Sequence, residues 1–214
     1  MPWILLVVVL VLALLIGAVV WLRTHPSPLP YSQRFFVRGA HPFLGHQRLR
    51  EILEPEPGER VLEIGPGTGY HSLPVAAWIS PAGTLAIVDV IPEWLDHTVR
   101  EAERRDLANI VPTRADATSL PFEDRSFDSA FLVQVLGEVP DQEAALRELR
   151  RVLKPGGRLV VGESVLDPHV VTLRVLRRRA GAAGLRFDDT VGGALGYFAR
   201  FRPGAESLSR SQRS

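Results

Sequence analysis

The chain contains no cysteine. That excludes a disulfide framework, a thiolate nucleophile and any zinc site with cysteine ligands. Charge of one sign is also missing. The 214 residues carry 25 Lys and Arg against 24 Asp and Glu, a formal net charge of +1. Such balance gives no general affinity for nucleic acid. No internal repeat is visible. The Gly-Lys-Ser/Thr end of a P-loop is absent. The six histidines do not have the spacing of a zinc site. Neither a metal nor a nucleic-acid partner is expected.

What is present begins with a long apolar run. Residues Trp3 to Leu22 read WILLVVVLVLALLIGAVVWL, without a charge. As a helix such a run spans about 30 Å, the hydrocarbon thickness of a bilayer. Trp3 and Trp21 stand at its ends, where amphipathic rings favour the membrane interface. A cleaved signal peptide fits less well. No Lys or Arg precedes the run, and no small-x-small cleavage pattern follows Trp21. The expectation is a single transmembrane helix over 3–22. Arg23, Arg34, Arg38, Arg48 and Arg50 follow it without an intervening acid. Basic flanks stay on the cytoplasmic side, so the body is expected there with the N-terminus outside.

Thr24–Pro30 (THPSPLP) reads as a stiff linker, and residues 23–53 as linker and N-terminal cap, with a helix over His46–Leu53. A domain over 54–203 and a disordered tail over 204–214 complete the organisation. Within the domain, strands are expected at 61–64, 84–89, 110–113, 127–133, 158–162, 185–190 and 196–201. Helices are expected at 70–79, 92–105, 141–153 and 170–183, with Pro92 in a first turn and Asp141 as an N-cap. Lys154-Pro155-Gly156-Gly157 reads as a turn that stops the third of these helices. Alternation of this kind means an α/β fold, a Rossmann-like doubly wound, mostly parallel seven-stranded sheet behind the transmembrane helix. Ligands of such sheets lie at the carboxyl ends of the strands.

The first of those ends carries Gly65-Pro66-Gly67-Thr68-Gly69. Glycines there let the backbone approach a ligand closely. Their G-x-G-x-G spacing is not the dinucleotide fingerprint G-x-G-x-x-G, which disfavours a nicotinamide oxidoreductase. Asp89 ends the next strand, twenty residues beyond Gly69. An acid in that place accepts both hydroxyls of a ribose, and Val90 and Ile91 are placed to pack on a purine. The competing role for Asp89 is an N-cap before Pro92. The ribose role is favoured because the glycine loop accompanies it.

VLEIGPGTGY, the acid of AIVDV, the Asp of TRADATSLPF, FDSAFLVQVLGEVPD and LRELRRVLKPGGRLVVGE together resemble class I S-adenosylmethionine-dependent methyltransferases. The likeness runs from about residue 46 to 200 and is strongest to the type 11 branch with the ubiquinone and menaquinone methyltransferases. It implies S-adenosylmethionine as cofactor, bound along Gly65, Pro66, Gly67 and Gly69. It further implies that Glu63 holds the amino group, Asp89 the ribose and Val90 the adenine. Asp116 and Ala117 would meet the adenine edge, and Gln134 would lie beneath the methionine end. Glu63 has a rival role as a strand-end charge satisfied by loop amides, and Asp116 as an Asx-turn residue.

Methyl transfer from a sulfonium is an in-line displacement for which a protein mainly aligns the nucleophile and excludes water. Candidate bases are His71, Glu138, His41 and Tyr31, with His46 also in the cap segment. None is marked by a partner in the sequence. Relatives of this kind carry histidines near the position where this chain has Gly137 and Glu138. They also carry an insertion after strand five, whereas Glu163–His169 here leads almost directly to the last helix. The cap over the acceptor is therefore expected from Tyr31–Leu53, the segment that leads from the apolar run. That favours a lipid-like acceptor entering from the bilayer surface. The alternatives are a water-soluble acceptor and a non-catalytic S-adenosylmethionine-binding membrane protein. Arg174, Arg177, Arg178 and Arg179 read as a solvated helix face.

Overall fold

The computed structural model describes residues 2–24, 30–33 and 43–204. The expected linker at 25–29, His41 and the expected tail from 205 lie outside the described residues. Helix α1 (Pro2–Thr24) comes first. Its described side chains, among them all of 3–14, are exposed. Among the described residues no helix is long and apolar enough to cross a membrane. The structure therefore does not establish the expected transmembrane helix.

The domain is one seven-stranded sheet in the order β3-β2-β1-β4-β5-β7-β6. Its strands are β1 (Arg60–Ile64), β2 (Thr84–Asp89), β3 (Ile110–Arg114), β4 (Phe127–Val133), β5 (Leu153–Ser164), β6 (Leu185–Gly193) and β7 (Gly196–Pro203). The pairings from β3 across to β5 are parallel. Strand β7 runs antiparallel to both β5 and β6. The sheet is therefore mixed, with a parallel majority. Only residues 194 and 195 separate β6 from β7, and so short a connection joins antiparallel strands only. Strand β3 carries Pro112, which cannot donate to a ladder, and accordingly lies at an edge.

Helices cover both faces, which is why the strands read as nearly continuous apolar runs. On one face Val61, Ile87, Phe131, Val160 and Phe198 meet α2 (His46–Leu53), α3 (Ser72–Ile79) and α4 (Pro92–Glu103). On the other, Leu62, Ala130, Leu132, Leu159 and Val161 meet α5 (Gln142–Val152) and α6 (Leu173–Ala182). Helix α2 has the expected bounds. Helix α4 starts with Pro92 directly after its N-cap Ile91. Asp141 caps α5 as expected, its carboxylate accepting from Ala144 N at 2.9 Å.

Three expectations need correction. Helix α3 begins at Ser72, because Tyr70 and His71 complete the glycine turn. Helix α6 begins at Leu173 and not at 170. The Val171 amide donates to Glu163 Oε2 at 3.1 Å and its carbonyl accepts from Tyr197 Oη at 2.6 Å, which holds that residue out of the helix. Lys154–Gly157 is not a free turn. It is an excursion within β5, where Leu153 pairs with Phe127 and Arg158 already pairs with Ser129.

The carboxyl end of α2 is clamped by two arginines. Arg158 donates to the Leu53 and Glu54 carbonyls and forms two 2.7 Å bonds with the Glu59 carboxylate. Arg200 donates to Ile52 O at 3.0 Å and pairs with Asp188 at 2.7 Å and Glu54 at 2.9 Å. Cations at a helix carboxyl end are favoured by its dipole. The clamp fixes α2 against β5 and β7, and with it the cap side of the site.

Candidate cofactor and acceptor site

The glycine loop follows β1 and turns sharply at three glycines. Gly65, Gly67 and Gly69 have φ of 69°, 54° and 77°. At Gly65 a Cβ would lie 2.4 Å from Val135 Cγ2. Only glycine satisfies both the dihedral and the contact. Gly65 N donates to Val88 O at 2.8 Å, and Gly69 N to Pro66 O at 2.9 Å. Thr98 Oγ1 of α4 donates to Gly67 O at 3.2 Å. The loop is thus held by β2 and α4 as well as by its own turn.

Glu63, next to last in β1, is buried at 3% exposure. Its Oε2 has no hydrogen-bond partner among the described residues. Burial pushes the carboxyl up to about 8, with the Ser72 hydroxyl pulling the other way. The loop amides do not satisfy that oxygen. Asp89 ends β2. Burial pushes it up to about 6, against the Ile91 and Val90 amides. Its Oδ1 accepts from Ile91 N at 2.9 Å. Ile91, not Asp89, is the N-cap of α4. Val90 beside it is 36% exposed, on the open side of the strand end.

Ala115 N donates to Asp89 O at 3.2 Å, which brings the segment after β3 to the same edge. Asp116 there is exposed. Its Oδ1 accepts from Thr118 N at 2.8 Å and Thr118 Oγ1 at 2.7 Å, so it makes the Asx turn. Ala117 is buried in the core. Gln134, just past β4, has φ 57° and donates its amide to Gly162 O at 2.8 Å. A left-handed non-glycine residue of this kind is uncommon and gathers at functional sites. Its neighbour Val135 is the residue that closes over Gly65.

The candidate bases scatter. His71 is buried beside the loop, its ring edge-on to Tyr70 at 4.8 Å and to Phe198 at 6.1 Å. Tyr31 reaches α4, its hydroxyl 3.2 Å from His97 Nδ1 and its ring 4.9 Å from that of Trp94. Glu138 ends a short 3-10 turn after β4. His41 lies outside the described residues. Among the described residues no metal-binding cluster occurs.

One buried acid was not singled out from the sequence. Glu163, near the end of β5, is fully buried. Burial holds its carboxyl well above the usual range, and the nearby Asp167 and Glu138 add to this. Its Oε1 has no partner among the described residues. The signal was present in RLVVGES, an acid closing an apolar strand as Glu63 and Asp89 do. Acids therefore close β1, β2 and β5 with raised pKa values, a pattern typical of functional clefts. A cationic amino acid moiety would give Glu63 the partner it lacks. A ribose would meet Asp89, and the glycine cradle leaves room for backbone approach. These residues fit S-adenosylmethionine.

Comparison with known proteins agrees. Residues 62–161 match the family profile described as "Methyltransferase domain". The chain is 32% identical over 140 residues to the ubiquinone/menaquinone biosynthesis C-methyltransferase UbiE of Shewanella frigidimarina, covering 64% of this chain and 55% of that protein. It is 39% identical over 117 residues to an uncharacterized 37.1 kDa protein in a transposon of Streptomyces fradiae, covering 55% of this chain and 33% of that protein. The chain thus spans about a third to just over half the length of these curated relatives. Among solved structures, a SAM-dependent methyltransferase from Aquifex aeolicus superposes with a TM-score of 0.76 at 17% identity, over 82% of this chain and all of that one. The [4+2]-cyclase SpnF superposes at 0.62 with 29% identity, over 68% of this chain and 57% of that one. Residues 62–161 are thus similar to methyltransferase domains, and that likeness implies S-adenosylmethionine as the cofactor.

Proposed function

We propose that the chain transfers a methyl group from S-adenosylmethionine to a small, lipophilic acceptor at a membrane surface. The observation that carries methyl transfer is the row formed by Glu63, the glycine loop and Asp89 at adjoining strand ends. Glu63 holds the amino group, Asp89 the ribose hydroxyls, and Val90 lies beside the adenine. When bound, the cofactor supplies a methyl group already activated by its sulfonium. The chain's own task is to orient the acceptor, keep water out and accept a proton where the acceptor must lose one. Val135, the half-buried Tyr70 and the buried His71 supply the wall beside Gly65 and Gly69.

The membrane setting has three supports. Trp3–Leu22 is uncharged over twenty residues and lies within a helical backbone. Val165, Leu166 and Leu195 are 49%, 65% and 55% exposed at the carboxyl edge of the sheet, tied together by Val165 N donating to Leu195 O at 3.1 Å. Relatives such as UbiE are named for quinone biosynthesis. In this reading α1 anchors the chain, and Arg23, Arg34, Arg38, Arg48 and Arg50 keep the domain on the cytoplasmic side.

The test is S-adenosylhomocysteine release by the full chain in anionic vesicles, given either a lipid extract or an aqueous metabolite extract. Turnover with the lipid extract, enhanced by vesicles, is expected. Turnover with water-soluble acceptors alone, with no gain from vesicles, refutes the lipophilic acceptor. Likeness to SpnF makes release, rather than binding, the measurement that decides. Tight cofactor binding without release under either condition refutes methyl transfer.

A further inference from the structure

In the proposed reading Glu63 and Asp89 serve the cofactor, which leaves the acceptor's proton to another group. His46 has the geometry for that task. It opens α2, the helix whose far end is clamped by Arg158 and Arg200. Its ring stacks on Tyr70 with centroids 4.0 Å apart and planes at 37°. It also meets His71 edge-on at 5.6 Å. Tyr70 directly follows Gly69, so the imidazole lies over the glycine loop from the cap side.

The two ring nitrogens differ. The ring hydrogen-bonds the backbone of Tyr70. Nε2 is buried and has no partner among the described residues. With Nε2 unpartnered, Nδ1 is assigned as the nitrogen that carries the proton toward the Tyr70 backbone. That tautomer leaves Nε2 bare and basic. A buried polar atom without a hydrogen bond is destabilising. A hydroxyl brought against Nε2 removes that cost.

We propose that His46 is the proton acceptor of the reaction, with Nε2 taking the proton of a hydroxyl-bearing acceptor seated beside Tyr70. The proposal rests on the methyl-transfer reading above. In the transfer, the acceptor's nucleophilic atom bonds to the methyl carbon as the carbon–sulfur bond breaks. The electron pair stays on sulfur as S-adenosylhomocysteine, and the hydroxyl proton passes to Nε2. The imidazole is neutral when needed. Burial lowers its pKa below the ordinary value, the Tyr70 backbone opposes this, and Arg105 beyond α4 adds to the lowering. The titratable and charged groups facing it are Tyr70 and His71 from the turn before α3, and Arg105.

The experiment compares the full-length protein with its His46→Asn variant, which keeps a donor near the Nδ1 position and removes Nε2. The probe acceptor is a hydroquinone with a short prenyl chain, presented in phosphatidylglycerol vesicles. S-adenosylhomocysteine formation is followed from pH 5 to 9. The variant should lose about 10²- to 10⁴-fold in kcat, with S-adenosylmethionine affinity and thermal midpoint little changed. The acidic limb of the wild-type profile should lie below pH 6.5 and vanish in the variant. A kcat within threefold of wild type overturns the proposal. Independently of any acceptor, ¹H–¹⁵N spectra of the imidazole at pH 7 should show Nδ1 protonated and Nε2 bare. An Nε2-protonated ring overturns the proposal too. If wild type leaves the hydroquinone untouched, the acceptor reading fails, and the spectra alone still decide for or against a basic Nε2.

Discussion

Replacing Gly65 by alanine tests the geometry of the glycine loop without reference to any substrate. The substitution meets two separate obstacles. A φ of 69° is left-handed, and a residue with a Cβ is disfavoured there by about 1–2 kcal/mol. The new methyl would also stand 2.4 Å from Val135 Cγ2 and 3.1 Å from Val135 Cγ1. Relieving such overpacking costs about 1–3 kcal/mol. Gly65→Ala should therefore destabilise the protein by about 2–5 kcal/mol, read as a lower urea midpoint at unchanged slope. A second substitution separates the two parts. Val135→Ala removes both Cγ atoms and the clash with them, but not the dihedral. The double variant should be less destabilised than the sum of the single ones by about 1–3 kcal/mol, a coupling expected of residues in contact. Additive single effects would show that Val135 does not close over Gly65. An unchanged midpoint for Gly65→Ala would refute the left-handed loop itself.

Asp89→Ala should weaken S-adenosylmethionine binding about 10- to 100-fold by calorimetry, since hydrogen bonds to a charged group are worth about 1.5–3 kcal/mol; unchanged affinity would remove the ribose role. Glu63 has its pKa raised to about 8 in the folded protein. Its contribution to stability is present below the ordinary glutamate pKa and is lost as pH rises through about 8. The cofactor-free protein should lose stability over that range, and Glu63→Gln should flatten the loss. Cofactor cation held by Glu63 should drive proton release on binding, measured in buffers of different ionisation enthalpy and absent in Glu63→Gln. Arg200→Ala leaves the Ile52 carbonyl without its side-chain donor while Asp188 keeps Arg202 at 2.9 Å, and should cost about 1–3 kcal/mol in chemical denaturation. Removal of residues 1–24 should release the protein from sedimenting membranes; retention would place the membrane contact elsewhere.

Local pattern carried much of this fold. The residues of β2 and β4, the bounds of α2 and the Asp141 cap follow from periodicity and from single-residue chemistry. These depend on neighbours a few positions away, so the chain alone contains the information. The glycine loop and the acid after β2 were legible for the same reason: a strand-turn-helix unit needs its own glycines wherever it sits. The reversal of β7 against β5 depended on where a hairpin inserts in a sheet, which no local period encodes. Lys154–Gly157 has the residues of a turn, but pairing on both sides made it an excursion inside β5.

Local spacing was enough to place Glu63, Gly65, Gly67, Gly69 and Asp89 in one row at adjoining strand ends, because they follow one another closely along the chain. Tertiary structure alone decided what faces that row. Asp116 is committed to Thr118. Glu163 is sealed beneath the loop that Val171 closes. His46 meets Tyr70 across twenty-four positions of chain. Such contacts arise when α2 packs on a sheet whose strands are not in chain order. The partners of each side chain are then set by the crossing of elements, and the spacing along the chain does not record it.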